Sequence, residues 1–234
     1  MSGNESQTSH EVYRQRYFDT GEVDKYAQRL MNSRTHLREV KCIGRALGDT
    51  AKGAHLLDIP CGAGRLLPDL VTLGYRVTAA DVAPLMLKEA QKYAESQQPE
   101  ARLDYVVADV LDTGFDDNSF DVVICNRMFH HFREPEVRVT GLKELKRIAR
   151  EYLIVSFFCN FSTDAFFFHI GNFLRRNKSI DRLPIHYSQM KKDTIDAGLE
   201  VVGIFPIRPA ISRQWYLKLR AANDWDSTTE NTCE

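Results

Sequence analysis

Residues 56–67 read LLDIPCGAGRLL, and this segment constrains the fold more than any other part of the chain. A short apolar run ends in Asp58, a loop with Gly62 and Gly64 follows, and apolar residues then return at helical spacing. Because glycine has no Cβ, backbone N–H groups at the start of that helix can approach a bound molecule closely. The segment predicts a buried strand, a tight turn and a helix, with a ligand lying against the turn.

The region after residue 54 alternates strand-like runs with helical patterns. Helices are expected at residues 65–73, 84–96, 134–149 and 188–197, with only a partial helix between residues 109 and 120. The strand-like runs are HLLDI, YRVTAAD, LDYVVAD, FDVVICN, EYLIVSFF, VVGIFPI and a candidate last strand, QWYLKLR. This alternation is typical of an α/β fold in which helices cover both faces of a mostly parallel sheet. Residues 11–47 precede it and are also helical in pattern, with apolar positions such as Val12, Leu37, Val40 and Ile43.

Composition narrows the class of protein. A chain of 234 residues that is 43% hydrophobic can bury one sizeable core, so we expect one domain over residues 1–234, with residues 1–10 and 221–234 flexible. A net charge of −1 gives no long-range field to attract nucleic acid or an anionic membrane. Five cysteines without paired spacing, a polar start and no membrane-length apolar run favour a cytoplasmic protein.

Polar side chains end four successive strands of the predicted sheet: Asp58, Asp81, Asp109 and Asn126. Ligands of open α/β sheets bind beyond the carboxyl ends of the strands, near the point where strand order reverses. Each residue alone could be a helix cap or a turn residue. Four of them in succession, with a glycine loop at the first, favour a shared ligand site.

These motifs resemble those of the class I S-adenosylmethionine-dependent methyltransferases, in particular the small-molecule subgroup that includes the quinone-biosynthesis enzymes. The resemblance spans roughly residues 13–220 and is strongest over residues 56–132. In that family the loop reads acid-x-Gly-x-Gly-x-Gly, whereas here Pro60 replaces the first glycine between Asp58 and Gly62. The resemblance implies a Rossmann-like methyltransferase fold with a seven-stranded sheet and an N-terminal helical lid over residues 11–47. It also implies S-adenosylmethionine as cofactor and S-adenosylhomocysteine as product.

The resemblance further implies roles for individual residues. Asp81 would accept hydrogen bonds from the ribose hydroxyls, and Asp109 would accept one from the adenine amino group. In the lid, Arg29 would hold the carboxylate of the methionine moiety, although an ordinary solvated helix face explains it equally well. The remaining positions implied to contact the cofactor are Tyr26, Asp58, Pro60, Cys61, Gly62, Gly64, Val82, Met86, Val110, Asn126 and Arg127.

His130 and His131 are the candidate catalytic residues, because an imidazole near the acceptor could orient it or remove its proton. The alternative is that one histidine packs against its neighbours or caps a helix while the other is solvated. Adjacent histidines lack the i, i+4 spacing of a helical zinc pair, so no metal site is expected. The loop after the fourth strand lacks the Asn/Asp-Pro-Pro-aromatic motif of base and amide methyltransferases. We therefore expect metal-independent O- or C-methylation of a small-molecule acceptor.

Three further interpretations stay open. A nicotinamide-dependent oxidoreductase is disfavoured because its G-x-G-x-x-G pattern would place Leu67 where a small residue must pack. A catalytically silent partner subunit with a methyltransferase fold is compatible with the same motifs. The aromatic stretch at residues 157–187 is either a buried helix or a wall over the acceptor pocket.

Overall fold

The computed structural model describes residues 8–16, 34–174 and 183–222. Seven strands form one sheet: β1 (His55–Asp58), β2 (Arg76–Asp81), β3 (Asp104–Val107), β4 (Phe120–Cys125), β5 (Ala149–Phe158), β6 (Leu199–Pro206) and β7 (Gln214–Ala221). The α-helices in the described ranges are α1 (Ser9–Arg16), α2 (Arg34–Leu47), α3 (Leu67–Thr72), α4 (Pro84–Gln97), α5 (Pro135–Ile148), α6 (Thr163–Leu174) and α7 (Tyr187–Asp196), and Phe129–His131 form a short 3-10 helix.

The strand order is β3-β2-β1-β4-β5-β7-β6. Strands β1 to β5 run parallel, and β7 pairs antiparallel with both β5 and β6. The chain moves outward from β1 through β2 to β3, then returns to place β4 on the other side of β1. The reversal opens a crevice at the carboxyl ends of β1 and β4, where such sheets bind ligands. The mostly parallel seven-stranded sheet expected from the sequence is confirmed.

Apolar side chains fill both faces of the sheet. Successive strand residues point to opposite faces, so Leu57 packs in one apolar cluster while Leu56 packs in the other. The first cluster lies with Phe129, Leu142 and other residues around α5, and the second lies with residues of α2, α3 and α4. Helices therefore cover both faces, which is why the strands read as continuous apolar runs.

Three local expectations need correction. Helix α3 begins at Leu67 rather than at residue 65, because residues 62–66 form a turn. The segment between Asp109 and Phe120 holds no helix; Asp109 instead pairs with Asp112 in an isolated bridge. On α2, Leu37 was expected on the apolar face but is 66% exposed. The buried face comprises His36, Glu39, Cys42, Ile43, Ala46 and Leu47.

Helix α6 follows β5 and carries the aromatic stretch of the sequence. Ala165 is buried, but Phe166 and Phe167 are 61% and 68% exposed, and Phe161 just before the helix is also exposed. The buried-helix interpretation is therefore wrong for these residues, and the acceptor-wall interpretation stays a prediction. Among the described residues, no helix has the length and apolar character needed to cross a membrane.

Parts of the N-terminal and C-terminal expectations lie outside the described residues, including Tyr26 and Arg29. Ser9 and His10, within the segment expected to be flexible, belong to α1, and Ala221 ends β7. The two described helices of the expected lid, α1 and α2, are separated by residues 17–33.

Candidate functional site

The glycine loop is fixed between the ends of three strands. The Ile59 N–H donates to the Ile124 carbonyl at 2.9 Å, which joins the loop to the end of β4. The Cys61 N–H donates to the Ala80 carbonyl at 2.8 Å, which joins it to the end of β2. Cys61 is itself buried, and desolvation raises the pKa of its thiol. The loop therefore lies at the crevice where the strand order reverses.

The two glycines of the loop serve different purposes. Gly64 has a φ of +77°, and a Cβ there would lie 2.7 Å from the Cα of Ala90, so Gly64 allows the loop to contact α4. Gly62 has a φ of +54°, and its N–H donates to Asp81 Oδ2 at 2.9 Å. Pro60, which replaces the family's first glycine, follows a cis peptide bond.

Asp81 connects the glycine loop to the start of α4. Its Oδ2 accepts the Gly62 N–H and its Oδ1 accepts the Ala83 N–H, each at 2.9 Å. Burial raises the pKa of this carboxyl to about 6, opposed by the backbone N–H donors that stabilise its charged form. Each carboxylate oxygen can accept a second hydrogen bond, so these contacts do not exhaust the acceptor capacity of Asp81.

Asp58 is the least satisfied carboxyl of the site. It is 1% exposed, and neither of its oxygens has a hydrogen-bond partner among the described residues. Desolvation raises its pKa to about 8, the charge of Arg65 lowers it, and the charge of Asp81 raises it. A buried carboxyl without donors is rare in folded proteins and requires a physical explanation.

Asp109 ends the row of acids, one strand beyond Asp81. The Ala108 N–H donates to the Asp81 carbonyl at 3.2 Å, which fixes the turn after β3 beside the turn after β2. Asp109 Oδ1 accepts the Leu111 N–H at 3.0 Å and lies 2.9 Å from His10 Nε2. Near these acids, Met86 and Val110 are buried and Val82 is partly exposed.

The fourth strand end is fixed by a hydrogen-bond network. Asn126 Oδ1 accepts from the hydroxyls of Ser156 and Tyr216, both at 3.0 Å. Ser156 Oγ also accepts the Arg127 N–H at 2.7 Å, and Arg127 has a φ of +61°. The network holds the backbone after β4 in a left-handed conformation that non-glycine residues rarely adopt.

Glu39 joins this strand end to the glycine loop and was missed by the sequence analysis. Its carboxylate is fully buried, pairs with Arg127 Nε at 2.8 Å and pairs also with Arg65. The two arginines belong to the two loops on either side of the crevice. The sequence does contain a signal for Glu39. It lies three residues after His36 and four residues before Ile43, so it is a glutamate on the same helix face as apolar residues.

The two candidate catalytic histidines have different surroundings. His130 is buried and lies parallel to the Phe158 ring, with centroids 3.8 Å apart and an interplanar angle of 8°. His131 is partly exposed, with its ring 4.3 Å from that of His130. His130 therefore packs in the core, whereas His131 is partly accessible. The described ranges contain no group of three or more residues able to hold a metal ion.

Comparison with known proteins relates this site to one family. Residues 57–154 match the family described as "Methyltransferase domain". A ubiquinone biosynthesis O-methyltransferase from Xanthomonas euvesicatoria is 38% identical over 94 residues, which cover 40% of this chain and 38% of that protein. The matched region thus spans less than two fifths of the length of these curated relatives.

Solved structures show the same fold across nearly the whole chain. Magnesium protoporphyrin IX methyltransferase from Synechocystis, crystallised with S-adenosylhomocysteine, superposes with a TM-score of 0.72 at 18% identity, covering 90% of this chain and 99% of that one. An S-adenosylmethionine-dependent methyltransferase from Aquifex aeolicus gives a TM-score of 0.62 at 20% identity, covering 86% and 98%. Residues 57–154 therefore match a methyltransferase domain, and the described chain has the Rossmann-like fold of these solved methyltransferases.

Proposed function

We propose that this protein transfers a methyl group from S-adenosylmethionine to a small-molecule acceptor, on oxygen or carbon and without a metal. The observation that carries the proposal is the buried carboxyl of Asp58, which has no hydrogen-bond donor in the described structure. It lies at the glycine loop, and Asp81 is near enough to raise its pKa. A cationic donor bound at this loop would satisfy Asp58 and favour its charged form.

The cationic and hydrogen-bond-donating groups of S-adenosylmethionine fit the acids along the crevice. The molecule carries an ammonium group, a sulfonium, two ribose hydroxyls and an adenine amino group, all of which suit carboxylate partners. We assign the ammonium end to Asp58, the ribose to Asp81 and the adenine amino group to Asp109. Met86, Val82 and Val110 supply apolar surface for the base. The close approach at Gly62 allows the ligand to lie against backbone.

The chain's own task in the reaction is alignment and exclusion of water. The bound cofactor supplies an electrophilic methyl group, so the protein needs chiefly to present the acceptor in line with it. The Glu39–Arg65–Arg127 ion pairs fix the two loops that border the crevice. His131, partly exposed, is the candidate to orient the acceptor or take its proton.

The acceptor is proposed to be an apolar or aromatic small molecule. The Xanthomonas relative is named for ubiquinone biosynthesis, and the Synechocystis enzyme is named as a magnesium protoporphyrin IX methyltransferase. The exposed Phe166 and Phe167 of α6 follow β5, whose carboxyl end lies beside the crevice. They support an acceptor region with an aromatic wall.

Calorimetric titration tests the cofactor assignment. S-adenosylhomocysteine should bind the wild-type protein in preference to NAD. Asp81→Ala should weaken that binding by about 1.5–3 kcal/mol, the typical cost of losing hydrogen bonds to a charged group. Asp104→Ala is the matched control, since Asp104 is exposed at the opposite end of β3, and it should bind like the wild type. If Asp81→Ala bound S-adenosylhomocysteine as tightly as the wild type, Asp81 would be a turn residue that does not contact the cofactor.

A methyl-acceptor screen separates the enzyme from its alternatives. Turnover of a phenol, a quinol or another conjugated acceptor with S-adenosylmethionine supports the proposal. Cofactor binding without turnover across acceptor classes would instead favour a silent partner subunit. Tighter binding of NAD would favour the oxidoreductase.

A further inference from the structure

Helix α1 begins with a reciprocal cap that fixes its orientation. The Glu11 N–H donates to Thr8 Oγ1 at 3.3 Å, and the Thr8 N–H donates to Glu11 Oε2 at 2.8 Å. This T-x-x-E pattern is a capping box, which satisfies two backbone donors at a helix N-terminus. Because the cap sets where the first turn starts, it also sets the direction in which the next side chains, Ser9 and His10, project.

The first turn of α1 is attached to the loop that follows β4. Ser9 Oγ accepts the Arg133 N–H at 3.1 Å and hydrogen-bonds the carboxylate of Glu134. The His10 ring packs edge-on against Phe132, with centroids 5.8 Å apart. These contacts hold α1 beside the turn after β3, within reach of Asp109.

His10 itself contacts the acid at the end of the crevice. Its Nε2 lies 2.9 Å from Asp109 Oδ1, and the side chains of the pair are 11% and 18% exposed. The same Oδ1 accepts the Leu111 N–H at 3.0 Å. Two directional contacts on one oxygen restrict the rotation of the Asp109 carboxylate, which a single contact would leave freer.

We propose that His10 is a positioning residue that gives the site its selectivity for adenine. This inference rests on the proposed function, in which Asp109 accepts the adenine amino group. His10 acts through Asp109: it holds the carboxylate so that an amino group at position 6 of the purine is accepted. Hypoxanthine carries a carbonyl oxygen at that position instead of an amino group. The fixed carboxylate of Asp109 would then face another hydrogen-bond acceptor, and a site made to hydrogen-bond an N–H group rejects an analogue that lacks it.

Two substitutions separate the hydrogen bond of His10 from its packing. His10→Phe keeps a ring against Phe132 but removes the donor, while His10→Gln keeps an N–H donor and removes the ring. Val12→Ala is the control for disturbance of α1, because Val12 is exposed on the same helix. The probes are S-adenosylhomocysteine and S-inosylhomocysteine, its hypoxanthine analogue, measured by calorimetry, with the melting temperature recorded for each variant.

The wild type and Val12→Ala should prefer the adenine compound strongly. His10→Phe should bind S-adenosylhomocysteine about tenfold more weakly, bind the inosine analogue almost unchanged, and so lose most of the selectivity. His10→Gln should recover much of it. A purely structural role of His10 would lower the melting temperature or both affinities together without changing their ratio.

Two results would overturn this inference. In the first, His10→Phe keeps the wild-type ratio of affinities. In the second, it binds S-adenosylhomocysteine more tightly, which means that His10 competes with the base for Asp109. Failure of the wild type to bind S-adenosylhomocysteine is a different result, because it removes the proposed function itself.

Discussion

Asp58 shows how one residue can couple ligand binding to stability. Its carboxyl pKa is raised from 3.8 to about 8 by burial, so the folded state favours the protonated form. Between pH 4 and 8 the unfolded chain releases this proton while the folded one retains it. The free energy of unfolding of the unliganded protein should therefore fall as pH rises through this window, by at most about 1.4 kcal/mol per pH unit for one proton.

Asp58→Asn should remove this contribution. Urea denaturation of both proteins at several pH values should show Asp58→Asn gaining stability relative to the wild type from pH 4 to 8, with a constant difference above. The pKa of Asp81 is also raised, to about 6, so its titration lowers the free energy of unfolding between pH 4 and 6. Both proteins contain Asp81, so this contribution cancels in the difference between them. If the difference in unfolding free energy between the two proteins did not change with pH, the pKa of Asp58 would not be raised in the folded state.

Individual residues of the site differed in how far the sequence could reveal them. Asp58, Asp81 and Asp109 follow recognisable strands, so their common edge could be predicted from chain order. The Glu39 and His10 contacts join residues far apart in sequence, 88 positions for Glu39 with Arg127 and 99 for His10 with Asp109. No local pattern specifies such a pairing, although the glutamate on a buried helix face was a usable signal.

At the scale of elements, the exposure of the aromatic side chains of α6 can be tested by measuring stability. Phe166 and Phe167 are mostly exposed, so Phe166→Ser with Phe167→Ser should change the unfolding free energy by only about 0.5 kcal/mol. Phe157→Ala on β5 is the contrast, because that ring is fully buried and its loss typically costs about 3–5 kcal/mol. Denaturant titration measures both. A large loss in the α6 variant would mean that these rings are covered in solution.

Most strands and helices could be predicted from the sequence, because the periodicity of apolar residues reflects which faces are buried. Each of the seven strand-like runs overlaps an observed strand. The face of α2 was misjudged because Glu39 is buried through ion pairs, which hydrophobicity does not register. The position of β7 between β5 and β6 is set by its pairing with β5, which is distant in sequence, and periodicity does not encode that pairing.

At the scale of the whole molecule, Glu39 connects α2 to the loops after β1 and β4. Glu39→Gln would leave two arginines near the core without their counter-charge, which typically costs about 3–5 kcal/mol of unfolding free energy. The control is Glu200→Gln, which breaks an exposed pair with Arg220 and should leave the denaturation midpoint unchanged. A Glu39→Gln protein as stable as the wild type would show that the arginines find other partners.

The place of β7 has a consequence for how the chain reaches its native state. Translation delivers β6 before β7, yet among the described strands β6 pairs only with β7. While a nascent chain is still attached to the ribosome short of residue 214, β5 stays an open edge and β6 has nothing to pair with. Closure of this side of the sheet is therefore a late event, and a premature stop before residue 214 removes the strand that joins its two parts.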